Sequence, residues 1–202
     1  MVLRKLLGVL AVFFAAPIAF GQAAPQAQLG GIPLTLGAGY SYFDSDWYRA
    51  PGHGGSNNIM GYTLWGEWTF YKAPGALAGI AIEIEGRDLN FGRSSGADPR
   101  LRQVVGSGGV LYKWRHFRIF QPYGKVLGGY GGMNMTTTVP GFVHDTRTVV
   151  TVGAGADFVF HDNFIVRADF ENQNWPQWQS FHSLTPRGLT VGIAYDFKHH
   201  PR

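Results

Sequence analysis

The chain has 202 residues, with 17 Lys and Arg, 13 Asp and Glu, no cysteine, 29 glycines, 15 Phe, 9 Tyr and 6 Trp. Only 15% of residues are charged, against about a quarter in soluble domains, which excludes a charge-rich, aromatic-poor disordered chain and a coiled coil. The missing cysteine excludes a disulfide scaffold, Cys-ligated zinc or iron–sulfur centres and a lipid anchor on an N-terminal cysteine, and the length allows one domain or two small ones.

Residues 1–23 read as a cleaved secretory signal peptide. A basic start (Arg4, Lys5) precedes an apolar run from Leu6 to Phe20, with small residues at cleavage spacing: Ala19 and Gly21, or Gly21 and Ala23. The run contains Pro17 and is short for a hydrocarbon core of about 30 Å, so a retained membrane helix fits less well. The mature domain is expected to span 24–202 and to be exported. Without Arg4 and Lys5 the bases number 15 against 13 acids, and they are scattered singly, so no nucleic-acid partner is expected.

The rest of the chain alternates with a period of two, which predicts eight strands. The first, 33–43, sets Leu34, Leu36, Ala38, Tyr40 and Tyr42 against Thr35, Gly37, Gly39 and Ser41. The second, 59–71, sets Tyr62, Leu64, Trp68 and Phe70 against Thr63, Glu67 and Thr69; the third, 79–88, sets Ile80, Ile82 and Ile84 against Ala81, Glu83, Glu85 and Arg87. In the fourth, 102–115, Val104, Val110, Tyr112 and Trp114 oppose Ser107, Gly109, Lys113 and Arg115. The fifth, 122–132, opposes Val126, Gly128 and Tyr130 to Lys125 and glycines, and the sixth, 148–160, opposes a Val, Ala and Phe face to Thr151, Gly153, Gly155 and Asp157. The seventh, 164–172, places Phe164, Val166, Ala168 and Phe170 opposite Arg167, Asp169 and Glu171. The eighth, 188–197, places Leu189, Val191, Ile193, Tyr195 and Phe197 opposite Thr190, Gly192, Ala194 and Asp196.

Strands of this length suit a tilted bilayer crossing. The polar faces carry twelve charges: Glu67, Glu83, Glu85, Asp157, Asp169, Glu171 and Asp196 against Arg87, Lys113, Arg115, Lys125 and Arg167. A narrow lumen closed by ion pairs accommodates them. On the lipid face one Lys or Arg at mid-bilayer would cost about 2–4 kcal/mol, and the aliphatic faces carry none in their central stretches. The connections are expected to alternate, long at 44–58, 89–101, 133–147 and 173–187, short at 72–78, 116–121 and 161–163, as in barrels with short periplasmic turns and long outer loops. Aromatics near both strand ends fit two interfacial girdles. The fold expected is all-β: a closed antiparallel eight-stranded up-and-down transmembrane β-barrel, in the outer membrane and in contact with its lipid bilayer.

QPYGKVLGGYG opening the fifth strand, VGAGADF in the sixth, FIVRADFE in the seventh and LTPRGLTVGIAYDF closing the chain are together similar to the small eight-stranded outer-membrane proteins of the OmpA/OmpX type, over residues 30–197. The resemblance implies that a last strand ending in Tyr195 and Phe197 serves as the signal to the barrel-assembly machinery. KHHPR follows Phe197, where the family usually stops at the aromatic, and no peptidoglycan-binding domain of the larger OmpA-type proteins is expected.

The chemistry candidates are few. The charged lumen set is expected to pair internally and fix the barrel, with a narrow ion or small-solute channel as the alternative. Ser180 and His182 with Glu171 are raw material for a lipid-modifying hydrolase, although 173–187 reads as an outer loop. His199 and His200 read as solvated tail, and the glycine clusters lack the Gly-Lys-Ser/Thr ending of a phosphate loop. No catalytic residue, cofactor or metal is assigned. Trp47, Trp175 and Trp178 in the outer loops are read either as a surface-ligand site or as anchors at the outer lipid interface.

Overall fold

A chain that alternates apolar and polar side chains every residue can satisfy its backbone in lipid only by closing its sheet, because an open edge would leave unpaired N–H and C=O groups in hydrocarbon. The structure, a computed structural model, describes residues 33–46, 58–70, 77, 79–92, 101–115, 119–135, 144–161, 163–178 and 182–197. The predicted signal peptide, Trp47, Ser180, His199 and His200 lie outside the described residues.

The strands are β1 (Leu34–Asp44), β2 (Asn58–Thr69), β3 (Ile80–Gly92), β4 (Leu101–Lys113), β5 (Phe120–Met135), β6 (His144–His161), β7 (Phe164–Trp178), the short β8 (His182–Leu184) and β9 (Arg187–Asp196). Each pairs antiparallel with the next in sequence through β7, β9 pairs with both β7 and β1, and the sheet closes. β8 extends the wall of β9 and pairs with the far end of β7. The break between them falls at Pro186, which has no N–H to give; its carbonyl still accepts from Gln173 N at 2.7 Å. Eight barrel walls are therefore made from nine strands. Among the described residues no helix is long and apolar enough to cross a membrane; this chain crosses with strands.

The outward face carries Leu64, Ile84, Val110, Val152, Val191 and Ile193, all exposed, in a continuous aliphatic band. Tyr40 and Tyr62 meet edge to face at one border, and Phe164, Tyr195 and Phe197 do so at the other. Tryptophan and tyrosine rings suit such borders because one end is apolar and the other wet. The first outward charges, Asp88 and Arg102, pair with each other beyond the band.

The strands run past their expected ends on the side of the long connections. β5 continues to Met135, β6 starts at His144 and β7 runs to Trp178, so much of the expected loops 133–147 and 173–187 is strand. Above the lipid, the outward face turns polar (Asn134, Thr146, Asn172, Asn174), and the alternation loses its contrast while the backbone ladder continues. The long–short alternation of connections is correspondingly weaker than expected: 70–79 on the short side exceeds 93–100 on the long side. A bulge between Met60 and Gly61 shifts the β2–β3 register, and a Cβ on Gly61 would lie 1.9 Å from the Asp88 carbonyl oxygen, so only glycine fits there.

Candidate functional site

Inside the barrel the odd-numbered residues of β1–β7 converge, and those of β8 and β9 with even numbers join them. In the half nearer the short connections two small apolar clusters line the lumen: Trp65, Ile165 and Ala194 pack together, as do Ala81, Leu111 and Tyr123.

Among and above these clusters stand ten buried charges in one linked set. Glu67 and Glu83 stand directly opposite each other on β2 and β3, like charges that would repel. Arg167 spans them, giving Nη1 to Glu83 Oε2 at 2.6 Å and Nη2 to Glu67 Oε2 at 2.8 Å, while its Nε donates to Asp157 Oδ1 at 2.8 Å. Lys113 Nζ contacts Glu67 Oε1 at 2.8 Å and Asp157 Oδ2 at 2.7 Å. One step along the axis, Lys125 Nζ is surrounded by Glu83 (3.1 Å), Glu85 (2.9 Å), Glu171 (2.6 Å) and Asp169. Arg87 completes the set, holding Glu85 Oε1 and Glu171 Oε2 at 2.7 Å each and donating from Nε to Thr63 Oγ1 at 3.0 Å. Arg115 and Asp196, the remaining two of the twelve sequence candidates, are half-buried at the rim near the short connections. Such charge-assisted bonds are short and directional, and an alternating acid–base set of this kind fixes which wall faces which.

Above the charges Ser41 bridges Thr63 at 2.5 Å and Thr190 at 2.7 Å. The far half is then apolar. Phe43, Ile59 and Leu89 form one cluster, and Val105, Met133, Val149, Trp175 and Leu184 another. Gln173 Oε1 accepts from Gln103 Nε2 at 2.8 Å and from the Trp175 indole at 3.0 Å at the base of this second cluster.

Two expectations are corrected here. Trp175 is fully buried in the lumen and is neither a surface site nor a lipid anchor. β7 keeps its alternation past Glu171, so Trp175 shares the inward face with Gln173. Glu171 cannot complete a triad with His182: it pairs in register with Gly188 and is committed to Arg87 and Lys125, whereas His182 pairs with Trp178, seven residues or about 23 Å further along β7. The side chains of Trp178 and His182 lie outside the described residues.

Ten of the twelve charges lie buried on the inward face, and four inward aromatics lie among them or beyond them. Phe43, Trp65, Tyr123 and Trp175 each face a glycine across the lumen wall. A Cβ on Gly131 would lie 2.3 Å from the Trp175 ring, and one on Gly37 would lie 2.2 Å from Trp65; Gly188 and Gly155 stand in the same relation to Phe43 and Tyr123. Three of these rings also carry a guanidinium over their face, Arg87 on Phe43 (4.3 Å) and Arg167 on Trp65 (5.0 Å) and Tyr123 (4.7 Å). For Phe43, Trp65 and Tyr123 an inward glycine on the adjacent strand is the signal that would have found them; Gly131 and Trp175 stand two strands apart, on β5 and β7.

The comparisons agree with this architecture. Neisserial surface protein A has a TM-score of 0.61 at 9% identity, covering 81% of this chain and 96% of that one. Ail, the attachment invasion locus protein of Yersinia pestis, has a TM-score of 0.52 at 17% identity over 80% of this chain and 97% of that one, and its backbone structure in a phospholipid bilayer nanodisc scores 0.50 at 17% identity over 84% and 100%. At these identities the likeness is one of fold. No curated protein matches the sequence. The outer membrane protein beta-barrel domain family matches residues 9–197. The chain is a member of that family, a β-barrel of the bacterial outer membrane embedded in its lipid bilayer.

Proposed function

We propose that the protein is a structural and surface-interaction barrel with a closed, non-conducting lumen and no enzymatic activity. The observation that supports this most strongly is the filling of the lumen. A ten-residue ion network links side chains across the lumen, and apolar clusters pack beside it and beyond it. Eight strands enclose a space just wide enough for side chains to fill. An ion would have to displace both the Arg167 bridge and the Trp175 cluster to pass.

The buried carboxylates of the network are enclosed inside the barrel beside cationic side chains, where no substrate meets them. The last wall ends with Tyr195 against Phe197, ring centroids 4.9 Å apart, and this aromatic end is the element offered to the barrel-assembly machinery. A surface ligand, if one is bound, meets the connections above the apolar half, where Asp46 accepts from Thr185 N and Oγ1 (3.1 and 2.7 Å) and ties the end of β1 to the β8–β9 turn.

Planar-bilayer recording with purified protein tests the proposal. An electrically silent membrane is expected. Reproducible single-channel steps would favour the narrow channel instead.

A further inference from the structure

The lumen charges do not cancel, and the surplus sits in one place. Lys113 and Arg167 balance Glu67 and Asp157, Arg115 and Asp196 are of opposite sign, and Asp145 and Arg147 pair at the outer rim. Around Lys125 and Arg87, however, stand four carboxylates: Glu83 and Glu85 from β3, Asp169 and Glu171 from β7. Among the described residues two buried negative charges have no counter-charge. An uncompensated buried charge is too costly to persist; the group is neutralised instead.

The oxygens identify what neutralises them. An ammonium has three N–H donors, and Lys125 faces four carboxylates. Arg87 occupies Glu85 Oε1 and Glu171 Oε2, and Arg167 occupies Glu83 Oε2. Two oxygens of the cage, Asp169 Oδ1 and Glu171 Oε1, receive no hydrogen bond, although Nζ lies 2.6 Å from the latter. The Tyr123 hydroxyl, on a residue 95% buried, is also without a partner; its ring lies against Arg167 and its oxygen over Gly155, which stands directly opposite Asp169. Glu85, Asp169 and Glu171 offer oxygens within 4.8 Å of one another, a spacing a metal ion would accept, but the Lys125 ammonium already touches all three. A proton needs no such space.

We propose that the cage around Lys125 is a proton-binding site, holding two protons, one on Asp169 and one shared across the carboxyls of Glu85 and Glu171. The charged and titratable groups facing it are Glu67 from β2, Arg87 from β3, Lys113 from β4, Tyr123 from β5, Asp157 from β6 and Arg167 from β7, and all the charged ones are counted in the balance above. Folding at neutral pH then takes up two protons. Between the range where free carboxyls titrate and the pH at which the cage ionises, the folding equilibrium falls about 100-fold for each unit of rising pH.

Infrared spectroscopy of the purified barrel in detergent micelles tests this through the C=O stretch of neutral carboxylic acids, which is resolved from the carboxylate and amide bands. The unmodified protein at neutral pH is expected to show the band at an amplitude of two acids. Asp169→Asn should lose half of it and keep the heat-dependent gel shift of a folded barrel, since an amide replaces a neutral acid of the same shape. Absence of the band from the unmodified protein overturns the proposal, with or without a stoichiometric metal found by elemental analysis. A band that survives intact in folded Asp169→Asn overturns it as well.

Discussion

Near the short connections, Arg167 touches three carboxylates and the faces of two aromatic rings; near the long ones, Trp175 packs among Val105, Met133, Val149 and Leu184. Both side chains are carried on the inward face of β7, eight residues apart, and both are buried. In the charged half the residues have few alternatives: each acid has a cation it must meet, so the set specifies register as well as filling space. In the apolar half closure depends on shape alone, and glycines such as Gly131 supply the shape. A barrel in lipid can bury charge in this way because its exterior meets the bilayer and supplies the apolar surface there.

The comparison breaks most sharply at Arg167. Arg167→Met is expected to destabilise the folded barrel by about 3–5 kcal/mol, since it leaves Glu67, Glu83 and Asp157 with too little positive charge. Urea unfolding in lipid vesicles, followed by tryptophan fluorescence, measures it. Trp175→Ala, in the other half, is expected to cost about 3 kcal/mol through the cavity it opens. The two should also differ in kind: Trp175→Ala keeps a silent planar bilayer because the charged half still closes the lumen, whereas a bilayer that conducts would place the seal in the apolar half. At the outer rim Arg147 holds Asp145 at 3.0 Å with about a third of its side chain exposed. Arg147→Ala is accordingly expected to change stability by less than about 1 kcal/mol in the same unfolding assay.

The same contrast explains what the sequence could disclose. Within the lipid band each strand has an aliphatic outward face and a polar inward one, so the parity of Glu83, Lys125 or Arg167 follows from Ile82, Val126 or Val166 beside it. Beyond the band this cue fades. Asn172 and Asn174 face outward while Gln173 faces inward, all three are polar, and a strand in that setting looks like a loop. Pro186 adds to the effect by interrupting the ladder. The inward aromatics were hidden for a related reason: Trp65 lies between Leu64 and Gly66, and a tryptophan in an apolar stretch of a membrane strand suggests the girdle before it suggests the core. Which acid meets which cation was not legible at all. Arg167 meets Glu67 across a hundred residues, a pairing decided by closure of the barrel rather than by any local pattern.

The absence of native cysteine allows the central claim, a lumen packed with side chains, to be tested directly. Thr151 points inward and is buried, and its neighbour Val152 points to lipid. In vesicle-embedded protein, Thr151→Cys is expected to resist a small water-soluble thiol reagent from both sides until the barrel is unfolded, with Val152→Cys reacting only with a lipid-soluble one. Rapid labelling of folded Thr151→Cys by the water-soluble reagent would show a hydrated lumen and contradict the account.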